Sequence, residues 1–385
     1  MIASVLTIAK GGSGIVRTED KTVFLPGVIT GETVEFTIAG RLRSAWQGKL
    51  LRVLEPSPQR VEPRCPHYPE CGGCNLQHMS YGEQLRCKTE ILLGNLKMIA
   101  GVVPGAVPAA MASPPWRYRS KGEFQIRAGV AGFFARESHR LVAINGCLLL
   151  PEALESFFLA QRPRAGGMEK GQMQILSNGC DIAARLEAAD GGETWLSDER
   201  AVRFTVGSYA YRFAPDNFIQ ANLFQLLPML GLLERALERE APATAVDLFC
   251  GGGFLTLPLA ARCRDVLAME SDPGNITALR ANLELNRATN VRIAAADVLH
   301  SDLPAADLFV VDPPRGGLSS RLIAALAGSG AGTIIYFSCD SATFARDLRL
   351  FLSRGFKLDE LKLIDNFPQS DHFEIFSVLK KRRSQ

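Results

Sequence analysis

The chain has 385 residues, a formal net charge of +3, 47% hydrophobic and 22% charged residues, which bounds it to two or three domains with cores of ordinary size. No stretch approaches the roughly 18 uninterrupted apolar residues of a membrane span, and Met1-Ile2-Ala3-Ser4-Val5 is no basic leader before a long apolar core, so a cytoplasmic location without membrane contact is expected. A charge this small does not by itself argue for nucleic acid, and nine cysteines in a chain read as cytosolic are packing residues, metal ligands or nucleophiles rather than a disulfide set.

Residues 1–56 predict a small β-barrel, because five short alternating strands are separated by turns: Ser4–Ile8, Gly14–Val16, Thr22–Leu25, Thr33–Ile38 and Gly48–Leu54. Lys10, Arg17, Lys21, Arg41, Arg43, Lys49 and Arg52 outnumber its acids, a balance suited to RNA contact or to a barrel that only supports the rest.

Residues 57–215 read as an α+β domain. Cys65, Cys71 and Cys74 form C-x5-C-x2-C; three soft ligands so close together indicate a metal, and their spacing leaves zinc and iron–sulfur both open. In Trp116-Arg117-Tyr118-Arg119-Ser120-Lys121 rings alternate with cations, which fits bases stacked between guanidinium groups or an edge strand with a solvated face.

From Asp216 to the end, strands at Val246–Leu248, Val266–Met269, Val291–Ala294, Leu308–Val311 and Thr333–Phe337 alternate with helices such as Asn275–Asn286, Leu318–Leu326 and Ala342–Leu352, the order of a doubly wound, mostly parallel sheet. The turn Gly251–Gly253 follows the first strand and Glu270 lies at the end of the second, an outline for backbone against a ligand and an acid on a ribose. A nicotinamide fingerprint fails at Thr256, and the acids Asp247, Asp297 and Asp312 favour S-adenosylmethionine, with Asp297 on the adenine amino group. The strand Ile334–Ser338 ends in Cys339, where ligands of an open α/β sheet collect. Cys339 is the candidate nucleophile and Glu374, entering the last strand after Asp371-His372-Phe373, the candidate base. Cys180, Cys250 and Cys263 are read as packing residues.

Together these segments resemble the RNA uridine-5-methyltransferases, over essentially the whole chain. The resemblance implies a TRAM domain, an OB-like RNA-binding barrel, in the first segment, a central domain with an iron–sulfur cluster, and a C-terminal Rossmann-like methyltransferase domain. It matches Phe218-Ile219-Gln220-Ala221-Asn222 to a cofactor motif, sets Gln220 and Phe249 beside S-adenosylmethionine with Gly251, Gly253, Glu270 and Asp297, and puts Asp312 near both cofactor and target. Some relatives carry Asn after the glycines where this chain has Phe254. The family motif Cys-Gly-Gly-Cys-x-x-Gln-His is present from Cys71 to His78, and the family's fourth cysteine matches Cys147. A 4Fe-4S cluster on Cys65, Cys71, Cys74 and Cys147 is therefore expected, with Cys87 outside the set. Methyltransferases of exocyclic amines carry Asn-Pro-Pro and an aromatic residue where this chain has Asp312-Pro313-Pro314-Arg315. The expected activity is methylation of carbon 5 of a uridine in RNA, ribosomal before transfer RNA, by a monomer. The alternative is a non-catalytic RNA-binding or chaperone protein on the same fold.

Overall fold

The structure is a computed structural model that describes residues 1–382; the third segment's last three residues lie outside them. β1 (Ile2–Ile8), β2 (Ser13–Arg17), β3 (Thr22–Pro26), β4 (Thr33–Arg41) and β5 (Trp46–Glu55) close into a barrel in the order β1-β2-β3-β5-β4. Every second residue of β2 and β3 is buried, which sends Val16, Val23 and Leu25 inside with Val5, Val34 and Phe36. Closure leaves this small sheet no free edge.

The middle of the chain builds a six-stranded antiparallel sheet, in the order Glu193–Trp195, Ile182–Ala188, Lys170–Ser177, Lys121–Arg127, Val130–Phe134 and Leu141–Ala143. Helix Glu152–Gln161 packs on it through Phe158, whose ring centroid stacks 3.8 Å from that of Phe124. Residues 116–121 are not an edge strand, and Tyr118 is no stacking ring. Only Lys121 enters a strand, Tyr118 is buried with its hydroxyl donating to the Pro368 carbonyl at 2.9 Å, and Arg117 bonds the Leu150 carbonyl and Glu155. A buried phenol needs a partner and finds it across the domain junction, so this ring is a strap and not a stacking platform.

An eight-stranded sheet carries the rest, in the order Val291–Ala295, Asp265–Glu270, Thr244–Leu248, Leu308–Val311, Thr333–Ser338, Glu374–Lys381, Phe356–Ile364 and Ala110–Met111. The first five are parallel, and Glu374–Lys381 pairs antiparallel with both its neighbours. Leu308–Val311 and Thr333–Ser338 are buried at every residue because apolar clusters cover both faces, the condition that lets parallel strands be continuously apolar.

Two parts of that cover come from upstream of Asp216. α1 (Tyr81–Asn95), capped by the Ser80 hydroxyl, adds Ile91 and Leu92 to one cluster, and the hairpin Val202–Val206/Tyr209–Phe213 adds Tyr211 and Phe213 to the other. Cys87 on α1 faces the barrel core instead.

Candidate active site

The carboxyl ends of the parallel strands meet at one edge of the sheet, and a cavity of about 720 Å³ opens there, lined by Phe218, Gln220, Phe249, Gly251, Glu270, Asp297, Asp312, Arg315, Cys339, Phe367, His372 and Glu374 among others. One of the walls is a strand end turned sharply. Thr244–Leu248 passes through Phe249 at φ 62° into Gly251 at φ 54° and Gly253 at φ 91°. Positive φ costs a residue with a Cβ about 1 kcal/mol or more, so the strain at Phe249 is held by its surroundings. A side chain at Gly253 would also stand 2.6 Å from Leu279 Cδ1. Gly253 thus serves the packing of the turn, while Gly251 opens on the cavity. Phe254 fills its place with apolar contact, its ring 5.5 Å from that of Tyr211.

Glu270 holds this turn from the second strand. Its Oε2 accepts from the Gly251 N–H at 2.9 Å, and its Oε1 accepts from the N–H groups of Ser271 and Asp272 at 2.7 and 2.8 Å. Asp297 stands on the outer wall, exposed and hydrogen-bonded to His300 at 2.7 Å. Asp247 lies beneath the turn, fully buried. Thr256 donates to one of its oxygens at 2.6 Å and the other has no protein partner, so burial pushes this carboxyl up to about 7. A wall of carboxylates around a backbone turn fits a cofactor with a sulfonium, an ammonium and ribose hydroxyls.

The reacting groups follow from strand register. Thr333 pairs with Lys380 and Ser338 with Ile375, so one further step sets Cys339 opposite Glu374. Glu374 is buried, and desolvation together with the nearby charge of Asp312 drives its pKa well up. Burial likewise lifts Asp312 to about 7 and Cys339 to about 12, the latter reinforced by Glu374 and Asp312 and opposed by Arg315. Asp312 accepts from Gln220 Nε2 at 3.2 Å, and Gln220 Oε1 accepts from Asn366 Nδ2 at 3.0 Å. That second bond fixes which end of the Gln220 amide faces the cavity.

Arg315, Phe367 and His372 also line this cavity, and the sequence reading gave them no role there. Arg315 donates to His372 Nε2 at 3.3 Å, which makes that nitrogen the acceptor and leaves the proton on Nδ1. The strand-end Asp-Pro-Pro-Arg run was a visible signal for Arg315; nothing comparable marked Phe367.

Away from this cavity, Cys65, Cys71, Cys74 and Cys147 line a single second pocket with Arg119, Phe133 and Ile144. Cys87 is not among its walls. Among the described residues, no group of three or more His, Cys, Asp or Glu side chains is arranged to hold a metal ion. Cys250 is buried beside the glycine turn, Cys263 is buried in the core, and Cys180 is exposed.

A doubly wound sheet whose strand ends carry a glycine turn, acids and a facing thiol and carboxyl defines an S-adenosylmethionine-dependent methyltransferase. The model of the tRNA (uracil-5-)-methyltransferase family matches residues 198–303 and 296–382. The 23S rRNA (uracil(1939)-C(5))-methyltransferase RlmD of Pseudomonas entomophila is 30% identical over 97% of this chain and 92% of its own length. Its counterpart of the same name in Stenotrophomonas maltophilia is 30% identical over 98% and 96%. Among solved structures, the tRNA (uracil-54, C5)-methyltransferase of Pyrococcus abyssi in complex with S-adenosyl-L-homocysteine superposes with a TM-score of 0.77 at 22% identity, over 98% of this chain and 99% of that one. The chain belongs to the RNA uracil-C5-methyltransferase family. No helix among the described residues is long and apolar enough to cross a membrane.

Proposed function

We propose that this chain methylates carbon 5 of a uridine in 23S ribosomal RNA through a covalent adduct with Cys339. The observation that carries the reading is the register that sets Cys339 against Glu374 on the wall of the strand-end cavity. Carbon 5 of uracil is a weak nucleophile. Cys339 gives up its thiol proton to solvent in the open cavity, Sγ bonds to carbon 6, and the pyrimidine becomes an enolate with electron density at carbon 5. S-adenosylmethionine, when bound, supplies the methyl group to that carbon. Glu374 then takes the carbon 5 proton, the carbon 5–carbon 6 double bond re-forms, and the thiolate of Cys339 leaves.

The pKa directions fit this order. Cys339 rests as a thiol among carboxyls, which keeps the nucleophile unreactive until a base and cations gather at the site. Gln220, Phe249, Gly251, Gly253, Glu270 and Asp297 are the proposed cofactor contacts, and Asp312, between Gln220 and the Glu374 carboxyl, borders both cofactor and base.

A 4Fe-4S cluster is proposed for Cys65, Cys71, Cys74 and Cys147. The support is donor chemistry: four soft thiols line one pocket, a ligand set that suits an iron–sulfur cluster. Its part is structural. The enzyme is further proposed to act as a cytoplasmic monomer, which light scattering after gel filtration checks.

The choice of 23S ribosomal RNA rests on the activity of relatives similar along nearly the full chain and on the basic barrel. Mapping 5-methyluridine in 23S and transfer RNA from cells with and without this protein tests it. One site in 23S RNA should vanish; loss confined to transfer RNA would redirect the assignment.

A further inference from the structure

Lys10, Gly11, Asn75 and Asp371 come from three separate parts of the chain and meet behind the reacting groups. Asn75, the residue after Cys74, spends its whole side chain at this junction. Its Nδ2 donates to Asp371 Oδ1 at 2.7 Å and to the Gly11 carbonyl at 3.0 Å, and its Oδ1 accepts from the Asp371 N–H at 2.9 Å. The Gly11 N–H in turn donates to Asp371 Oδ2 at 2.7 Å. Both oxygens of Asp371 and both ends of the Asn75 amide are therefore fixed.

The same loop is gripped once more, two residues earlier. The N–H groups of Asn75 and Leu76 both reach the Gln369 carbonyl at 3.0 Å, and Gln84 on α1 exchanges two bonds with Gln369, at 2.8 and 3.1 Å. Gln369 sits at φ 72°, a conformation that persists only where neighbours over-determine it. On the other side, Lys10 pairs with Asp340, which follows Cys339 and caps helix Ser341–Ser353. The barrel loop is shaped for this contact, since a Cβ at Gly12 would lie 2.7 Å from Asn75 Nδ2.

We infer that Asn75 is a positioning residue for catalysis: with the barrel loop it clamps the segment 369–372 and thereby aims Glu374 at the target base. The inference rests on Glu374 being the proton acceptor. Asp371 lies three residues before Glu374, with the cavity-lining His372 between them, so a shift at Asp371 passes directly to the base. A displacement near 1 Å costs a proton transfer about 100-fold.

The test is a charge swap. Asn75→Asp sets a carboxylate against that of Asp371; it should lower kcat about 100-fold while the Michaelis constant for S-adenosylmethionine stays at wild type, and the lost bonds should lower the thermal midpoint whatever the role of the junction. Because methyl transfer precedes proton removal, methylated protein–RNA adduct should accumulate on denaturing gels, as it should with Glu374→Gln. Adding Asp371→Asn restores a donor–acceptor pair and should recover most of kcat and clear the adduct. A merely structural junction would give neither adduct nor rescue of kcat. Wild-type turnover of Asn75→Asp, loss of turnover without adduct, or no rescue would overturn the inference. Failure of Glu374→Gln itself to trap adduct would remove the base assignment, and the inference with it.

Discussion

Lys88 lies on α1 beside the exposed Arg86 and Glu90, yet it is wholly buried. Its ammonium donates to Asp365 Oδ1 at 2.6 Å and to the Phe367 carbonyl at 3.0 Å, and Asp365 is equally buried. Lys88→Met keeps the stem's volume and removes the charge, leaving a carboxylate in the core without its cation. Breaking one side of such a pair costs about 3–5 kcal/mol, whereas replacing both partners with apolar residues is close to neutral. The double variant Lys88→Met/Asp365→Leu should therefore be more stable than Lys88→Met alone, by about 2 kcal/mol or more. Urea unfolding of the wild type, both single variants and the double variant measures the coupling. The single variant should also lose turnover, since the next residue, Asn366, orients Gln220. A loss below about 1 kcal/mol for Lys88→Met, or a double variant no better than the single, would refute the reasoning.

Three further outcomes are expected. In the proposed cofactor site a sulfonium would sit near Asp312; that carboxyl, lifted to about 7, should release up to about half a proton at pH 7 on binding S-adenosylmethionine, read by calorimetry in buffers of different ionisation enthalpy, and S-adenosylhomocysteine should release less. Asp247 is raised from 3.8 to about 7, so its contribution to stability is full below pH 3.8 and is lost as pH rises through 7; Asp247→Asn should unfold later than wild type at pH 8 by at most about 4 kcal/mol, with the gap narrowing below pH 7 and closing near pH 3.8. Anaerobically purified protein should hold about four irons per chain; Cys147→Ala should lose them and Cys87→Ala keep them, and stoichiometric zinc without sulfide would reject the cluster.

The α/β alternation was plain in the sequence because buried parallel strands such as Leu308–Val311 are uninterrupted apolar runs and the helices between them are amphipathic. Cys339 and the Gly251–Gly253 turn stood out for a related reason: each breaks such a run at the strand end, where an open sheet collects ligands. The junction at Asn75 was not legible. Its partners, Gly11 and Asp371, lie 64 and 296 residues away, and a lone Asn after a cysteine loop has the pattern of an ordinary turn. Lys88 was hidden by the helix it sits on, and Tyr118 by neighbouring cations that suggested RNA. Pairing of Ala110–Met111 with Phe356–Ile364 was unreadable too, since a two-residue strand has no periodicity.

The central claim is that Cys339 attacks carbon 6 of the target uracil before methylation. RNA carrying 5-fluorouridine at the target tests it most directly, because fluorine cannot leave as a cation and the methylated adduct cannot eliminate. Peptide mass spectrometry of the denatured complex should find the cross-link on Cys339, and Cys339→Ala should lose both adduct and turnover while still binding cofactor. A cross-link on Cys250, or methylation that survives in Cys339→Ala, would contradict the account.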